Sequence, residues 1–310
     1  MKAFLKVTIL FVVGLFASMA GLIEVAEYSV ENNADFEVKS KPKYAVFGHS
    51  VAECAYNDTV ITDFVNLCKS GESYFYSYVK VKKIVEQNPN LEVVFVEFTN
   101  NSIRKPMDIW IWGDKDLNFR YPMYSPFMDF EDKFMLAKNN ITGFYNANSL
   151  TLKHNLGITI KKDYEYVSKI GAYQYLGNIV TDSTLNAAKP LKKKKNSDAN
   201  LLYLRKIIDV CEANGKRVVL LRTPTHKNYS GMDNEEKYQG IRNDLFSSVD
   251  YLDLARFSAP DHQFADLKHL NYEGATRFSK WFDSVLKKGL LDQADMQSFV
   301  DSEIDSLAVY

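Results

Sequence analysis

Hydrophobic positions divide the chain into one leading apolar block and, further on, short apolar runs that alternate with helical stripes. Residues 8–23, TILFVVGLFASMAGLI, form an unbroken apolar run behind Lys2 and Lys6. Residues 24–41 are polar and mixed in charge and read as a linker. Short apolar runs then recur at residues 43–47 (KYAVF), 64–67 (FVNL), 91–98 (LEVVFVEF), 217–222 (RVVLLR) and 249–254 (VDYLDL). Continuous runs of this length suit strands covered on both faces. Between them, apolar residues return at helical spacing over residues 73–87, 200–214, 235–246 and 274–288. Asn88-Pro89-Asn90 stops the first of these helices and Asn214-Gly215 the second. This alternation predicts an α/β fold: three layers, α/β/α, with a central parallel sheet.

Residues 100–200 break the pattern. They hold Trp110, Trp112, Phe119, Tyr121, Tyr124, Phe127, Phe130, Phe134 and Phe144 with no clean period. They read as an insertion, about 102–199, in an α/β domain spanning 42–291, followed by an acidic tail at 292–310 that is helical in part. Two roles fit the insertion: a subdomain with a core of its own, or a set of rings that stack on sugars. Four lysines, 192–195, close it and read either as a solvated loop or as a contact for acidic lipid or polymer.

Charge followed by an apolar run is the export pattern. Residues 1–25 therefore read as a signal-anchor or a signal peptide. Ser18-Met19-Ala20 offers a small-residue cleavage site, whereas roughly 20 apolar residues suffice to span a bilayer. As an anchor, the helix would hold the protein in the cytoplasmic membrane with its lysines inside and the folded part outside; as a cleaved signal, it would leave a secreted protein.

Composition narrows the function classes. The 310 residues are 46% apolar and 25% charged, as in an ordinary globular protein, and the net charge of −1 gives no electrostatic case for nucleic acid. Cys54, Cys68 and Cys211 show no CxxC spacing and read as buried free thiols, with a Cys54–Cys68 disulfide as the alternative in an oxidising compartment. No histidine has metal-ligand spacing with a carboxylate or cysteine, and no glycine-rich phosphate loop occurs. Neither a metal nor another cofactor is expected.

In a parallel sheet the chemistry gathers at the carboxyl ends of the strands. Those positions hold Gly48-His49-Ser50, Gly71, Thr99-Asn100-Asn101 and Asp266-Leu267-Lys268-His269. A serine, a histidine three residues after an aspartate, an asparagine and a glycine amide are the parts acyl transfer needs: nucleophile, base, orienting carboxylate and oxyanion donors.

This set resembles the SGNH (GDSL-like) hydrolase family. Phe47-Gly48-His49-Ser50 stands for the family's first block, Gly71 for its second, the strand running into Thr99-Asn100 for its third, and Asp266-x-x-His269 with Gly274-Ala275 for its last. The resemblance covers about 43–98 and 200–286. It implies Ser50, His269 and Asp266 as catalytic residues, with Gly71 and Asn100 forming the oxyanion hole and Asn101 competing with Asn100. Two departures stand inside the motifs. His49 replaces an aspartate, as a substrate contact or a neutral structural substitute, and Phe98 replaces a glycine, which would reshape the oxyanion site. Position 52 is alanine, so no Gly-x-Ser-x-Gly elbow exists. Similar departures mark the membrane-anchored members that add or remove acyl groups on envelope polymers. The implied function is an exported serine esterase or O-acyltransferase acting on acylated carbohydrate or another small ester, with a membrane-bound acyl-donor protein as a possible partner. The rival is a non-catalytic envelope protein that binds polysaccharide or such a partner.

Overall fold

A computed structural model describes residues 1–186 and 195–307. Of the four-lysine run, only Lys195 falls within the described residues. The chain forms two compact units, one of residues 1–35 and 111–166, the other of residues 36–110 and 167–310.

The second unit is built on five parallel strands in the order β2-β1-β3-β4-β5. They are β1 (Tyr44–Phe47), β2 (Phe64–Asn66), β3 (Val93–Glu97), β4 (Arg217–Arg222) and β5 (Asp250–Asp253). β1 and β3 are central neighbours in register, with Ala45 opposite Val94, and β3 meets β4 with Phe95 opposite Val219. β1, β2 and β3 carry the fully or largely buried apolar runs that their sequences foretell.

Alternate strand residues face opposite layers. Val46, Phe95, Val219, Leu221 and Leu252 join one core with α2 (Ser50–Ala55), α12 (Tyr272–Lys287) and α13 (Met296–Leu307). Tyr56, Phe64, Phe278 and Phe282 stack or meet edge to face within it. The opposite layer contains α3 (Tyr74–Gln87) and α10 (Asp198–Ala213), joined by Phe75 against Tyr203. Tyr238 of α11 (Glu235–Leu245) stacks on Phe98 beside them. The fold is thus a three-layer α/β/α sandwich. Short helices α8 (Val167–Ile170) and α9 (Asp182–Asn186) lead into α10, and α4 (Ile109–Trp112) lies where the chain passes between units.

The acidic tail is a structural element. Among its acids, Met296, Val300 and Ile304 recur every four residues, and all three are buried as the core face of α13. All three cysteines are buried and free.

The first unit is helical, made of α1 (Lys2–Asn33), α5 (Asp114–Tyr124), α6 (Phe130–Asn139) and α7 (Ile141–Lys161). α1 is long and apolar enough to be a membrane span or a signal sequence. It does not stop where the apolar run stops. It continues to Asn33, so the first part of the expected linker is helix, and Ala26 and Val30 are buried in the unit. Tyr121, Tyr124 and Phe127 form this unit's own small core, with Phe144 edge-on to Tyr121.

Candidate active site

β1 ends at Phe47, and Gly48 turns the chain into α2. A side chain at Gly48 would stand 2.5 Å from both Cβ and Oε2 of Glu97, so only glycine allows β3 to carry that glutamate beside the turn. His49 is the N-cap of α2 and Ser50 its first residue. The last motif lies in the loop before α12. Asp266 Oδ1 accepts from the backbone N–H of Lys268 (2.6 Å) and His269 (3.0 Å), which locks the turn. Asn271 caps α12 by accepting from the N–H of Glu273 and Gly274, and Gly274 lets the helix approach the Gln263 carbonyl, 2.2 Å from where a Cβ would sit.

These two loops meet. His269 Nε2 lies 2.8 Å from Ser50 Oγ, and His269 Nδ1 lies 2.8 Å from Asp266 Oδ2. The carboxylate fixes the tautomer: Nδ1 carries the proton and donates to Asp266, leaving Nε2 to accept from Ser50. Desolvation works to raise the Asp266 pKa, but hydrogen bonds from the His269 ring and from the backbone of Lys268 and His269 outweigh it and hold the group at about 2. It is therefore a carboxylate at any physiological pH.

Ser50 opens into a cleft of about 40 Å³ lined by residues from the ends of β1, β3 and β4 and from the loops that follow: His49, Thr99, Asn100, Asn101, Arg222, Thr223, Thr225, Tyr229 and Lys268 among them. Trp110 is the one ring of the aromatic stretch among these lining residues. Asn100 and Asn101 both reach the cleft, and Gly71 is not among its lining residues. Gly71 sits in a turn with φ +66°, a left-handed conformation that suits glycine. Phe98 does not narrow the cleft; its ring is buried between Tyr238 and Phe246.

Asn100 has one of its two amide N–H groups already engaged. Its Nδ2 donates to Glu235 Oε2 (2.8 Å), and its Oδ1 accepts from Arg222 (3.3 Å). Arg222, at the end of β4, also binds Glu235 and Asp253. His49 presents the opposite case. It is buried, and its Nε2 has no hydrogen-bond partner. Nδ1 faces the Val51 N–H at 3.4 Å, and Glu97 Oε2 accepts the His49 backbone N–H at 2.8 Å.

Glu97 is the residue that sequence reasoning missed. Its signal was the second of two carboxylates in the run LEVVFVEF, the one set between Val96 and Phe98. It is fully buried, and burial pushes its carboxyl up to about 8. Burial, reinforced by the nearby His269 and Lys268, pushes His49 down to about 3. Although His49 Nδ1 and Glu97 Oε2 lie 3.4 Å apart, the two opposite shifts make them a carboxylic acid beside a neutral imidazole at neutral pH, and not an ion pair.

The linkage has a measurable sign. The folded form holds the Glu97 proton to about 8, while the unfolded chain releases it near the usual 4.5. Stability from this group is full below 4.5 and is lost as pH rises to about 8, at ~1.4 kcal/mol per pH unit within the window. Glu97→Gln keeps an acceptor for the His49 N–H but cannot ionise. Thermal unfolding measured across that window should fall less steeply with pH in the variant than in the wild type.

Fold and site together define an α/β protein with a hydrogen-bonded serine, histidine and aspartate at the carboxyl edge of a parallel sheet. A family model with no described function matches residues 175–291. The matched stretch contains β4, β5, Asp266, His269 and α12, and it leaves out β1 and Ser50. No curated protein matches the chain.

Proposed function

We propose that the protein is a serine esterase or O-acyltransferase of the SGNH-like type, acting on an acylated glycan or another small envelope ester. The observation that carries this reading is the continuous hydrogen-bond chain Ser50–His269–Asp266, with both links at 2.8 Å. Ser50 Oγ attacks the acyl carbonyl while its proton passes to His269 Nε2. Asp266 stabilises the imidazolium through Nδ1–H. The alkoxide of the departing alcohol takes the proton from Nε2, which leaves an acyl-enzyme. Water or a sugar hydroxyl then repeats the sequence in reverse, giving hydrolysis or transfer. A cleft of about 40 Å³ has room for roughly three water-sized groups, which supports a short acyl chain.

The oxyanion donor in this reading is His49. With Nδ1 turned to the Val51 N–H, the proton resides on Nε2, and a neutral imidazole held in a low-dielectric site can donate to developing negative charge without being a proton source. Asn100, the donor the family resemblance implies, already spends an N–H on Glu235. Removing one oxyanion donor costs about 10²- to 10³-fold in kcat. His49→Phe should show that loss with KM little changed, and His49→Gln, which keeps an N–H near the Nε2 position, should recover part of it in steady-state kinetics on p-nitrophenyl acetate.

α1 supports membrane attachment as an uncleaved anchor, with Lys2 and Lys6 on the cytoplasmic side and the folded units outside. A fluorophosphonate probe tests the central claim. It should label the wild type at Ser50 and leave Ser50→Ala unlabelled. The engagement of Asn100 by Glu235 favours a second reading, a non-catalytic scaffold that binds glycan or a membrane acyl-donor protein. Folded wild-type protein that resists the probe would establish that alternative over catalysis.

A further inference from the structure

The first unit exposes large apolar side chains that neither its own core nor the proposed chemistry uses. Phe130 and Phe134 on α6 stack on one another, ring centroids 6.2 Å apart, and are 80% and 57% exposed. Ile141 and Tyr145 at the start of α7 are 68% and 57% exposed. Two contacts within the unit set the height of these residues along α1.

The first is on α6. Lys133 lies between the two phenylalanines, and its Nζ bonds Glu27 Oε2 of α1 at 2.5 Å. The apolar run of α1 ends at Ile23, and Glu27 is four residues later, a rise of about 6 Å along the helix. The second is on α7. Thr159 bonds Ser29, and further along Asp35 pairs with the 164–165 segment as a parallel bridge. The two chains therefore advance in the same direction, and α7 traced backwards from Thr159 heads toward the apolar part of α1. From Thr159 back to Tyr145 the axis covers about 21 Å, whereas Ser29 lies only about 9 Å beyond Ile23. The Lys133–Glu27 contact holds the corner near the upper end of α1's apolar run, so α7 descends at an incline and its first turns reach the top of that run and not its middle.

We propose that the corner between α6 and α7 rests in the headgroup and upper acyl region of the bilayer beside α1, with Phe130, Phe134, Ile141 and Tyr145 as its lipid contacts. This rests on α1 being an uncleaved span and is independent of the catalytic reading. The α1 run of 17 residues from Val7 to Ile23 covers about 26 Å, close to the hydrocarbon thickness, so Glu24 and Glu27 lie in the headgroups. The amphipathic ring of Tyr145 suits that boundary, and Phe130, Phe134 and Ile141 gain from burying apolar surface among the acyl chains. α1 runs unbroken from the span into the unit, and Ala26 and Val30 are buried there, so the corner is held at a fixed depth and does not swing on a tether.

The test uses the full chain in vesicles of phosphatidylethanolamine and phosphatidylglycerol. Phe130→Cys, Tyr145→Cys and, at the other end of α7, Lys161→Cys are each labelled with an environment-sensitive fluorophore; the native cysteines are buried. Lipids bearing a nitroxide high on the acyl chain should remove most of the emission at 130 and 145, and aqueous iodide should quench at 161 only. Iodide quenching at 130 and 145 with the nitroxide ineffective overturns the proposal, as does shielding from both quenchers, which would mean contact with protein. Mass spectrometry of the vesicle-bound chain separates the two claims. A chain lacking α1 overturns the anchor and this inference together; an intact α1 with iodide-accessible probes overturns this inference alone.

Discussion

Ser50→Ala should lower kcat on p-nitrophenyl acetate about a millionfold, to the level at which only binding and oxyanion stabilisation remain. Alanine removes the oxygen that His269 Nε2 meets at 2.8 Å, which is the nucleophile of the proposed acyl transfer. The fold should survive. Ser50 is the first residue of α2, half-buried, and the N-cap contact to Val51 comes from His49. Near-wild-type thermal unfolding together with lost turnover would assign the defect to chemistry. Turnover unaffected by the substitution would remove Ser50 from the mechanism.

Asp266→Asn should cost on the order of 10⁴-fold in kcat while changing KM little. The side chain keeps its size, so its Oδ1 can still accept from the backbone of Lys268 and His269 and hold the turn. Its amide N–H then faces His269 Nδ1. Two donors cannot share that contact, so the imidazole proton moves to Nε2, where it blocks acceptance from Ser50. Asp266 is about half exposed, 46% for its side chain, so water can compete for Nδ1 and soften the effect. Steady-state kinetics with purified variant protein checks the value. A loss below tenfold would mean that Asp266 only caps the turn, a role asparagine fills equally well.

Much of the second unit was legible because its signals are local. β1 and β3 are short, apolar and bounded by turn residues, and α3, α10 and α12 carry stripes at helical spacing. Each follows from side chains a few residues apart, and parallel pairing follows from the order of elements. The Asp266-x-x-His269 pair was legible for the same reason, since both members belong to one turn. The bond from His269 to Ser50 joins residues 219 apart, and strand-end reasoning pointed to it because the sheet delivers its loops to one edge.

Other features lay beyond local pattern. The helices of residues 100–200 hide because their apolar positions serve a small core and an exposed face at once, which blurs the period. The core stripe of α13 hides among acids that dominate composition. The choice of the proposed donor beside Ser50 is the clearest case. Asn100 and His49 both stand at strand ends and both carry a suitable N–H. Only the tertiary structure sets Glu235, 135 residues away, against the Asn100 amide while leaving His49 Nε2 without a hydrogen-bond partner. By itself the sequence determined which groups reach the edge of the sheet, because strand and turn propensities act over a few residues. Which of those groups keeps an open hydrogen bond was decided by packing, because partners compete for it across the whole fold.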